Sequence, residues 1–149
     1  MKKVCAIIIA ALMVFSTTVF ANEIEVLVND EAVNFDVQPQ TMEGIVMIPM
    51  RFVMEKLNAS IMYDDETETI STYLLDGEGK ASFIIIQIGN NKVFVNDGMH
   101  QLEVAPVLAE DRTLVSVEFF EKVLPDAVAF DEQNSRLSII FEMQQQPSE

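Results

Sequence analysis

The sequence has one cysteine and one histidine among its 149 residues, which limits the chemistry open to it. Cys5 lies in a predicted leader, so the exported chain would have no cysteine and no disulfide. His100 would then be its sole imidazole. Nucleophilic triads that depend on cysteine or on several histidines are therefore not supported. No paired-carboxylate arrangement can be argued either, and neither an enzyme activity nor a cofactor is predicted.

Basic residues are scarce as well. The chain has 9 Lys plus Arg against 24 Asp plus Glu, a formal net charge of −15. Loss of Lys2 and Lys3 with the leader would lower the charge to −17. Binding to nucleic acid requires clustered basic side chains that neutralise phosphates. An anionic membrane surface likewise attracts basic segments. The composition therefore excludes both partners.

Long apolar runs are absent apart from the one near the start of the chain. Lys2 and Lys3 precede an uncharged stretch from Val4 to Phe15, and Val19-Phe20-Ala21 has the features of a cleavage site. A spanning helix needs about 20 apolar residues, more than this run provides. Residues 1–21 are therefore predicted to be a signal peptide, with an uncleaved anchor as the alternative. The cleaved protein would be secreted or associated with the cell surface.

An internal repeat is the main architectural signal. Val26-Leu27-Val28-Asn29-Asp30 returns as Val93-Phe94-Val95-Asn96-Asp97, 67 residues later. An internal repeat of this kind constrains which folds the chain can adopt. The same offset, without a gap, relates Val37 to Val104, Pro39 to Pro106, Phe52 to Phe119, Leu57 to Leu124, Asp64 to Asp131 and Ser71 to Ser138.

The repeat predicts one domain made of two halves. We assign residues 22–142 to this domain, with repeat one at 24–75, a central strand at 80–89 and repeat two at 91–142. Residues 143–149 are predicted to be a disordered tail.

Each repeat is predicted to begin and end with a β-hairpin. The opening hairpins pair Ile24–Val28 with Ala32–Asp36, and Val93–Val95 with Met99–Val104. The closing hairpins pair Ser60–Tyr63 with Thr69–Leu75, and Ala127–Phe130 with Arg136–Phe141. Between them lies a short apolar strand, Ile45–Ile48 in the first repeat and Leu114-Val115 in the second.

A short helix follows the apolar strand in each repeat, because apolar residues then recur at i, i+3, i+4 and i+7. The first face consists of Met50, Val53, Met54 and Leu57, and the second of Val117, Phe120, Glu121 and Leu124. Pro49 suits the start of the first helix, and Ser116 is a good N-cap for the second. The helices are predicted to end at Asn58 and at Pro125-Asp126.

This order predicts an α+β fold with antiparallel sheet, built from two β-β-(β)-α-β-β repeats. No βαβ crossover and no glycine-rich phosphate turn is found.

The first repeat carries a recognisable motif. Residues Ile48–Ala59 and Ile61–Thr67 resemble the signature VPLRF-x-x-E-x-LGA-x-V-x-W-D-x-x-T of the copper amine oxidase N-terminal-like, or stalk, domain. The V-x-VN hairpin and its recurrence also belong to that pattern, so the resemblance covers about residues 24–142. The second repeat departs from it, with Ser116-Val117-Glu118 in place of Pro-Leu-Arg and Leu124-Pro125-Asp126 in place of Leu-Gly-Ala.

The resemblance implies a small twisted antiparallel sheet wrapped around short helices, found on exported proteins of Gram-positive bacteria. In the oxidases this domain is a non-catalytic stalk, and in bacterial relatives it accompanies cell-wall or peptidase modules. Oxidase chemistry requires three histidine ligands and a tyrosine-derived quinone. A chain with one histidine is therefore not the oxidase.

Two groups of residues invite a metal hypothesis. Asp64, Asp65 and Glu66 could supply oxygen ligands to Ca²⁺, but their spacing fits no closed calcium loop. We interpret Asp64 and its repeat partner Asp131 as turn residues whose carboxylates accept hydrogen bonds from their own backbone. The second group is a set of methionines suited to a soft metal, here interpreted as core packing: Met47, Met50, Met54 and Met62.

Arg51 stands in the first turn of a helix, where the helix dipole disfavours a cation. The structural interpretation is an ion pair that fixes helix to sheet, and the functional one is an anchor for a carboxylate or phosphate. The resemblance favours the structural role, as it does for Pro49.

The predicted function is that of a secreted non-catalytic stalk-like module. It would bind a partner at the cell envelope, or act as a spacer there, through a sheet face or edge. Its partner would be a cell-wall polymer or an envelope protein. The alternative is a divalent-cation or small-solute binding protein that uses the acidic surface. Because the repeats differ, any ligand site is expected in one half or at the seam, not as a symmetric pair.

Overall fold

The structure is a computed structural model that describes residues 23–143. The predicted signal peptide and residues 144–149 of the predicted tail lie outside the described residues. The elements in chain order are β1 (Glu25–Val28), β2 (Glu31–Ala32), β3 (Gln40–Met42), β4 (Ile45–Pro49), α1 (Met50–Lys56), β5 (Ser60–Asp64), β6 (Thr69–Leu75), β7 (Ala81–Gln87), β8 (Asn90–Val95), β9 (Gly98–Gln101), β10 (Val107–Ala109), β11 (Arg112–Ser116), α2 (Val117–Val123), β12 (Val128–Asp131) and β13 (Arg136–Ile139).

These strands form three sheets. The orders are β12-β13-β1-β2, β10-β11-β4-β3 and β5-β6-β7-β8-β9. Every strand pair is antiparallel except β1 with β13, in which Val26 lies opposite Leu137 and Val28 opposite Ile139. The fold is therefore α+β and mostly antiparallel. The parallel pair was not expected, and it joins the two ends of the described chain.

Elements recur along the chain at the spacing noted in the sequence. β3, β4 and α1 begin and end 67 residues before β10, β11 and α2 respectively. β4 and β11 pair with each other at the centre of their sheet, where Ile48 lies opposite Val115. On one side of Ile48, Pro49 faces Leu114; on the other, Met47 faces Ser116.

The recurring Val-Asn-Asp motif has a specific structural use. Asn29 and Asn96 both adopt a positive φ, near 50°, which asparagine tolerates better than most residues. The Asn29 side chain donates to the Phe141 carbonyl at 3.0 Å and accepts from the Phe141 N–H at 2.8 Å. Asn96 Oδ1 accepts from the Phe83 N–H at 2.8 Å. Each asparagine thus turns the chain and ties the turn to a neighbouring strand.

Several predicted boundaries are wrong. β3 and β10 lie in stretches that the sequence interpretation left without structure, so each half has four strands before its helix. β2 ends at Ala32, whereas a strand to Asp36 was expected. The register with β1 stops at Ala32, and the Val33 N–H still donates to the Val26 carbonyl at 2.9 Å. The helices end at Lys56 and Val123, earlier than predicted. Met143, assigned to the tail, forms a bridge with Asp76.

The predicted face of α1 is confirmed, since Met50, Val53, Met54 and Leu57 are all buried. The predicted face of α2 is confirmed in part, since Phe120 and Leu124 are buried and Val117 packs partly buried against the core. It is wrong at Glu121, which is exposed, while Phe119 and Val123 are buried in addition. Burial of an unpaired carboxylate is costly, so the helix turns Glu121 to solvent and brings Phe119 inward.

Ser116 occupies the N-cap position of α2 as expected, but its hydroxyl makes no capping hydrogen bond. The hydroxyl is buried and lacks a partner among residues 23–143, as does that of Thr72. Neither helix in the described chain is long or apolar enough to cross a membrane.

A single hydrophobic core receives side chains from all three sheets and both helices. Phe119 and Phe120 lie at its centre with ring centroids 5.2 Å apart, in an edge-to-face arrangement. Full burial of a side chain of this size contributes about 1.5–3 kcal/mol. With the core filled in this way, the outer sheet faces and the clefts beside the helices are the surfaces left for binding.

Candidate functional site

The outer face of the sheet β5-β6-β7-β8-β9 is apolar and exposed. Side chains alternate along a strand, so Ile84, Ile86 and Val93 enter the core while their neighbours point outward. The outward set is 44% to 72% exposed and comprises Met62, Tyr73, Phe83, Phe94 and Met99.

Strand register makes this set contiguous. Tyr73 lies opposite Phe83 on the neighbouring strand. Phe94 lies opposite Ile85 on one side and opposite Met99 on the other. Met62 lies opposite Ser71, which in turn lies opposite Ile85. Directly opposed residues have Cβ atoms about 5 Å apart, so these side chains form one patch, with Ser71 between Met62 and the rest. We call this patch the outer apolar face.

The outer apolar face is almost free of negative charge, although the chain is strongly acidic. The five strands contain a single acidic residue, Asp64, at the end of β5. Three of the four turns that connect these strands contain acidic residues, and their carboxylates flank the sheet at both ends. These residues are Asp65, Glu66, Glu68, Asp76, Glu78 and Asp97.

The sequence interpretation did not single out the residues of this face. A signal for it exists in Phe83, Ile84, Ile85 and Ile86, which are apolar at consecutive positions of β7. A strand with one solvated face would alternate with polar residues. Two apolar faces on a strand of an antiparallel sheet indicate that something can cover the second one.

Arg51 is exposed and lines a cleft beside α1. The ion pair expected for Arg51 is not formed within residues 23–143, where its guanidinium also makes no hydrogen bond. The cleft has a volume of about 460 Å³ and includes the buried Pro49 and Met50. We call it the α1 cleft.

Arg112 also lines the α1 cleft, but its charge is engaged. Its Nε donates to Asp36 Oδ2 at 3.1 Å, and its Nη1 donates to the Asp111 carbonyl at 3.0 Å. The hydrogen bonds from Arg112 lower the pKa of Asp36 below its ordinary value, and Asp36 in turn raises the pKa of Arg112. The pair connects the first half of the chain to the second.

Asp64 and Asp131 occupy matching places in two hairpin turns. Asp64 Oδ1 accepts from the backbone N–H of Glu66 at 3.0 Å and of Thr67 at 3.2 Å. Asp131 Oδ1 accepts from Gln133 at 3.0 Å and Asn134 at 3.1 Å.

Asp131 is held further by its turn. The Asn134 side chain donates to Asp131 Oδ2 at 2.7 Å, and this bond is the main cause of the lowered pKa of Asp131. Both aspartates therefore stabilise turns through their carboxylates.

No group of three acidic, histidine or cysteine side chains that could hold a metal ion is found in the described part of the chain. The proposed calcium ligands Asp64, Asp65 and Glu66 are all exposed in one turn.

The four methionines considered for a soft metal differ in burial. Met47, Met50 and Met54 are buried to 2% exposure or less, in agreement with core packing, whereas Met62 is 72% exposed.

One comparison with known proteins defines the family. The family model for the copper amine oxidase N-terminal domain matches residues 27–139, most of the chain and nearly all of its described part. The chain belongs to the copper amine oxidase N-terminal domain family. This domain is the non-catalytic N-terminal part of those oxidases. No curated protein matches the chain.

Membership of the copper amine oxidase N-terminal domain family agrees with the resemblance seen in the sequence. The match extends through both halves, including the second, in which Glu118 replaces the arginine of the motif. The family is thus consistent with the α+β fold and with a non-catalytic domain. The outer apolar face and the α1 cleft are features of this chain that the family description leaves open.

Proposed function

We propose that the protein is an exported, non-catalytic stalk-like domain that binds a protein of the cell envelope through its outer apolar face. The observation that carries this proposal is the exposed patch of Met62, Tyr73, Phe83, Phe94 and Met99 on a sheet with one acidic residue in its strands. Contiguous exposed apolar patches of this kind mark interaction surfaces.

The arrangement of charge favours a protein partner over a wall polymer. Protein interfaces have an apolar centre rich in aromatic residues and methionine, with a polar rim. Here the centre is apolar and the rim consists of acidic turns. The matching partner would present an apolar patch bordered by basic residues. An anionic wall polymer would be repelled by a chain whose net charge is −15, and −17 after loss of Lys2 and Lys3 with the leader.

Two further parts of the proposal concern the repeat architecture and the export of the protein. We propose that residues 24–75 and 91–142 are two copies of one unit, each with four strands, a helix and two strands. The coincident bounds of β3, β4 and α1 with β10, β11 and α2 support this. The leader composition of residues 1–21 supports export.

The proposal is tested by sedimentation of the purified protein with envelope fractions of Gram-positive cells. One arm uses an envelope protein fraction reconstituted in vesicles, and the other uses peptidoglycan stripped of protein. The proposal expects saturable binding in the first arm only. Binding to stripped peptidoglycan alone would show that the partner is a wall polymer and not a protein. Binding in neither arm would refute the proposal.

A further inference from the structure

The α1 cleft has a counterpart beside α2. Most of its lining residues reappear 67 positions later or earlier in the lining of a second cleft, of about 490 Å³. We call this one the α2 cleft. Arg51 corresponds to Glu118, Tyr63 to Phe130, and Leu108 to Thr41. The two clefts therefore occupy matching positions in the two halves.

The clefts differ in charge. The α2 cleft contains no basic residue and four glutamates, Glu103, Glu118, Glu121 and Glu132. The α1 cleft contains two arginines and one acidic residue, Asp111. The two clefts thus occupy matching positions but differ in the sign of their charged side chains, although the chain has few basic residues.

Arg51 is the unengaged cation of the α1 cleft. Arg112 is paired with Asp36, and Arg136, outside the cleft, is paired with Glu25 at 2.7 Å. Arg51 forms neither an ion pair nor a hydrogen bond with any residue from 23 to 143. A guanidinium in this position keeps its planar set of donors free for a carboxylate or phosphate, which it can bind with two parallel hydrogen bonds.

The remaining lining is apolar and aromatic. Met50 and Ile70 are buried, whereas Phe52 and Ile61 are half-buried. The Phe52 ring packs edge-to-face on Phe35 at 5.8 Å, which fixes that wall. Ligand pockets are mostly apolar, with a few polar groups that orient the ligand, and have volumes of about 300–1,000 Å³. The α1 cleft fits this description.

We propose that the α1 cleft binds a small organic anion, in which a carboxylate or phosphate is attached to a compact apolar group. The anionic group pairs with Arg51, and the apolar group lies against Met50, Ile61 and Tyr63. The cleft is separate from the outer apolar face, because Ile61 and Tyr63 alternate with Met62 along β5. The inference therefore does not depend on the envelope partner.

The test uses four probes that share the same 3-methylbutyl group and differ in the charged or polar group attached to it. They are 4-methylpentanoate, 3-methylbutyl phosphate, the neutral 4-methylpentanamide and the cationic 3-methylbutylamine. The chain has no tryptophan and two tyrosines, Tyr63 and Tyr73. In a Tyr73→Phe background, the fluorescence of Tyr63 reports on the α1 cleft. Backbone NMR shifts of residues 49–63 give a second readout.

The expected result is saturable binding of at least one anion, with the amide and the amine at least about tenfold weaker. Arg51→Gln should weaken anion binding by at least about tenfold. Lys80→Gln, which removes one positive charge from a loop outside the cleft, should leave it unchanged. Equal urea midpoints for the two variants would show that both remain folded.

Three outcomes would overturn the inference. They are equal affinity for the amide and the anions, unchanged binding in Arg51→Gln, and no binding of either anion at about 10 mM. A preference between 4-methylpentanoate and 3-methylbutyl phosphate decides whether the natural ligand carries a carboxylate or a phosphate, and either preference supports the site.

Discussion

The outer faces of two sheets occupy matching positions in the two halves, yet their surfaces are opposite in character. On the five-stranded sheet, Tyr73, Phe83 and Phe94 are exposed. On the sheet β12-β13-β1-β2, Arg136 pairs with Glu25 at 2.7 Å across neighbouring strands. Surface ion pairs of this kind suit a solvated face. The second face therefore suits contact with water, and the first is the face that we propose for a partner.

The central strand β7 makes much of this difference. β7 separates β6 from β8, whereas β13 and β1 pair directly. The inserted strand widens one sheet and contributes Phe83 and Ile85 to its outer side. If the halves are two copies of one unit, as we propose, their buried residues are the more similar part, and the strand β7 and a few substitutions distinguish their surfaces.

The largest expected effect concerns the core, where the halves also differ. Phe119 is fully buried, whereas Phe52 at the matching position is half-buried. Phe119→Ala should lower the free energy of unfolding by about 3–5 kcal/mol, and Phe52→Ala by about 1–2 kcal/mol. Urea denaturation monitored by circular dichroism measures both. Equal losses would show that the two helices are packed alike.

The next effect concerns the proposed contact surface. Tyr73→Ser should weaken binding to the envelope protein fraction at least about tenfold, about 1.4 kcal/mol, because it removes an exposed aromatic side chain that lies opposite Phe83 in the patch. Ile140→Ser is the matched control, since Ile140 lies 67 residues later and is 56% exposed. Its binding curve should overlay that of the parent protein. Weaker binding in Ile140→Ser and unchanged binding in Tyr73→Ser would contradict the proposal and would indicate that the other sheet makes the contact.

A smaller effect is expected at Thr72, a buried residue whose hydroxyl lacks a partner in the described chain. The matching residue in the other half is the buried Ile139. Thr72→Val keeps the shape and removes the unsatisfied group, so it should raise the unfolding free energy by about 1 kcal/mol. Thr41→Val, at an exposed site on β3, serves as control in thermal melts. Destabilisation by Thr72→Val would indicate that the hydroxyl is hydrogen-bonded to water.

The smallest effect is a pH dependence of the link between the halves. In the folded chain, hydrogen bonds from Arg112 hold the pKa of Asp36 below its ordinary value. A lowered folded-state pKa means that the pair stabilises the fold above the unfolded value. That contribution is lost as the pH falls through the folded value. Thermal melts from pH 6 to pH 3 should therefore show a shallower decline in Asp36→Asn than in the parent, and parallel curves would contradict this.

Sequence reasoning identified much of the fold because its signals were local. The i, i+3, i+4, i+7 spacing of Met50, Val53, Met54 and Leu57 specified the buried face of α1. In α2 the same spacing placed Glu121 on the inner face, and the cost of burying that carboxylate rotated the helix. The parallel pairing of β1 with β13 joins residues more than 100 positions apart, and no local pattern indicates such a partner.

The binding surfaces were harder to foresee for the same reason. Met62, Phe94 and Met99 come from three strands, and only strand register brings them together with Phe83. Arg51 was singled out from its place in the first turn of α1, and the ion pair offered as its structural interpretation is not formed among residues 23–143. Whether a nearby acid reaches a guanidinium depends on tertiary placement, and here Asp36 pairs with Arg112 instead.

Methionine oxidation tests the central claim, that the outer apolar face is the contact surface, most directly. Met62 and Met99 lie on this face, and Met42, 38% exposed on β3, lies outside it. The protein is treated with dilute peroxide, free or bound to envelope vesicles, and the sulfoxide at each methionine is measured by mass spectrometry. The account predicts that binding protects Met62 and Met99 and leaves the oxidation rate of Met42 unchanged. Unchanged rates at Met62 and Met99 in the bound protein, or protection of Met42 alone, would contradict it.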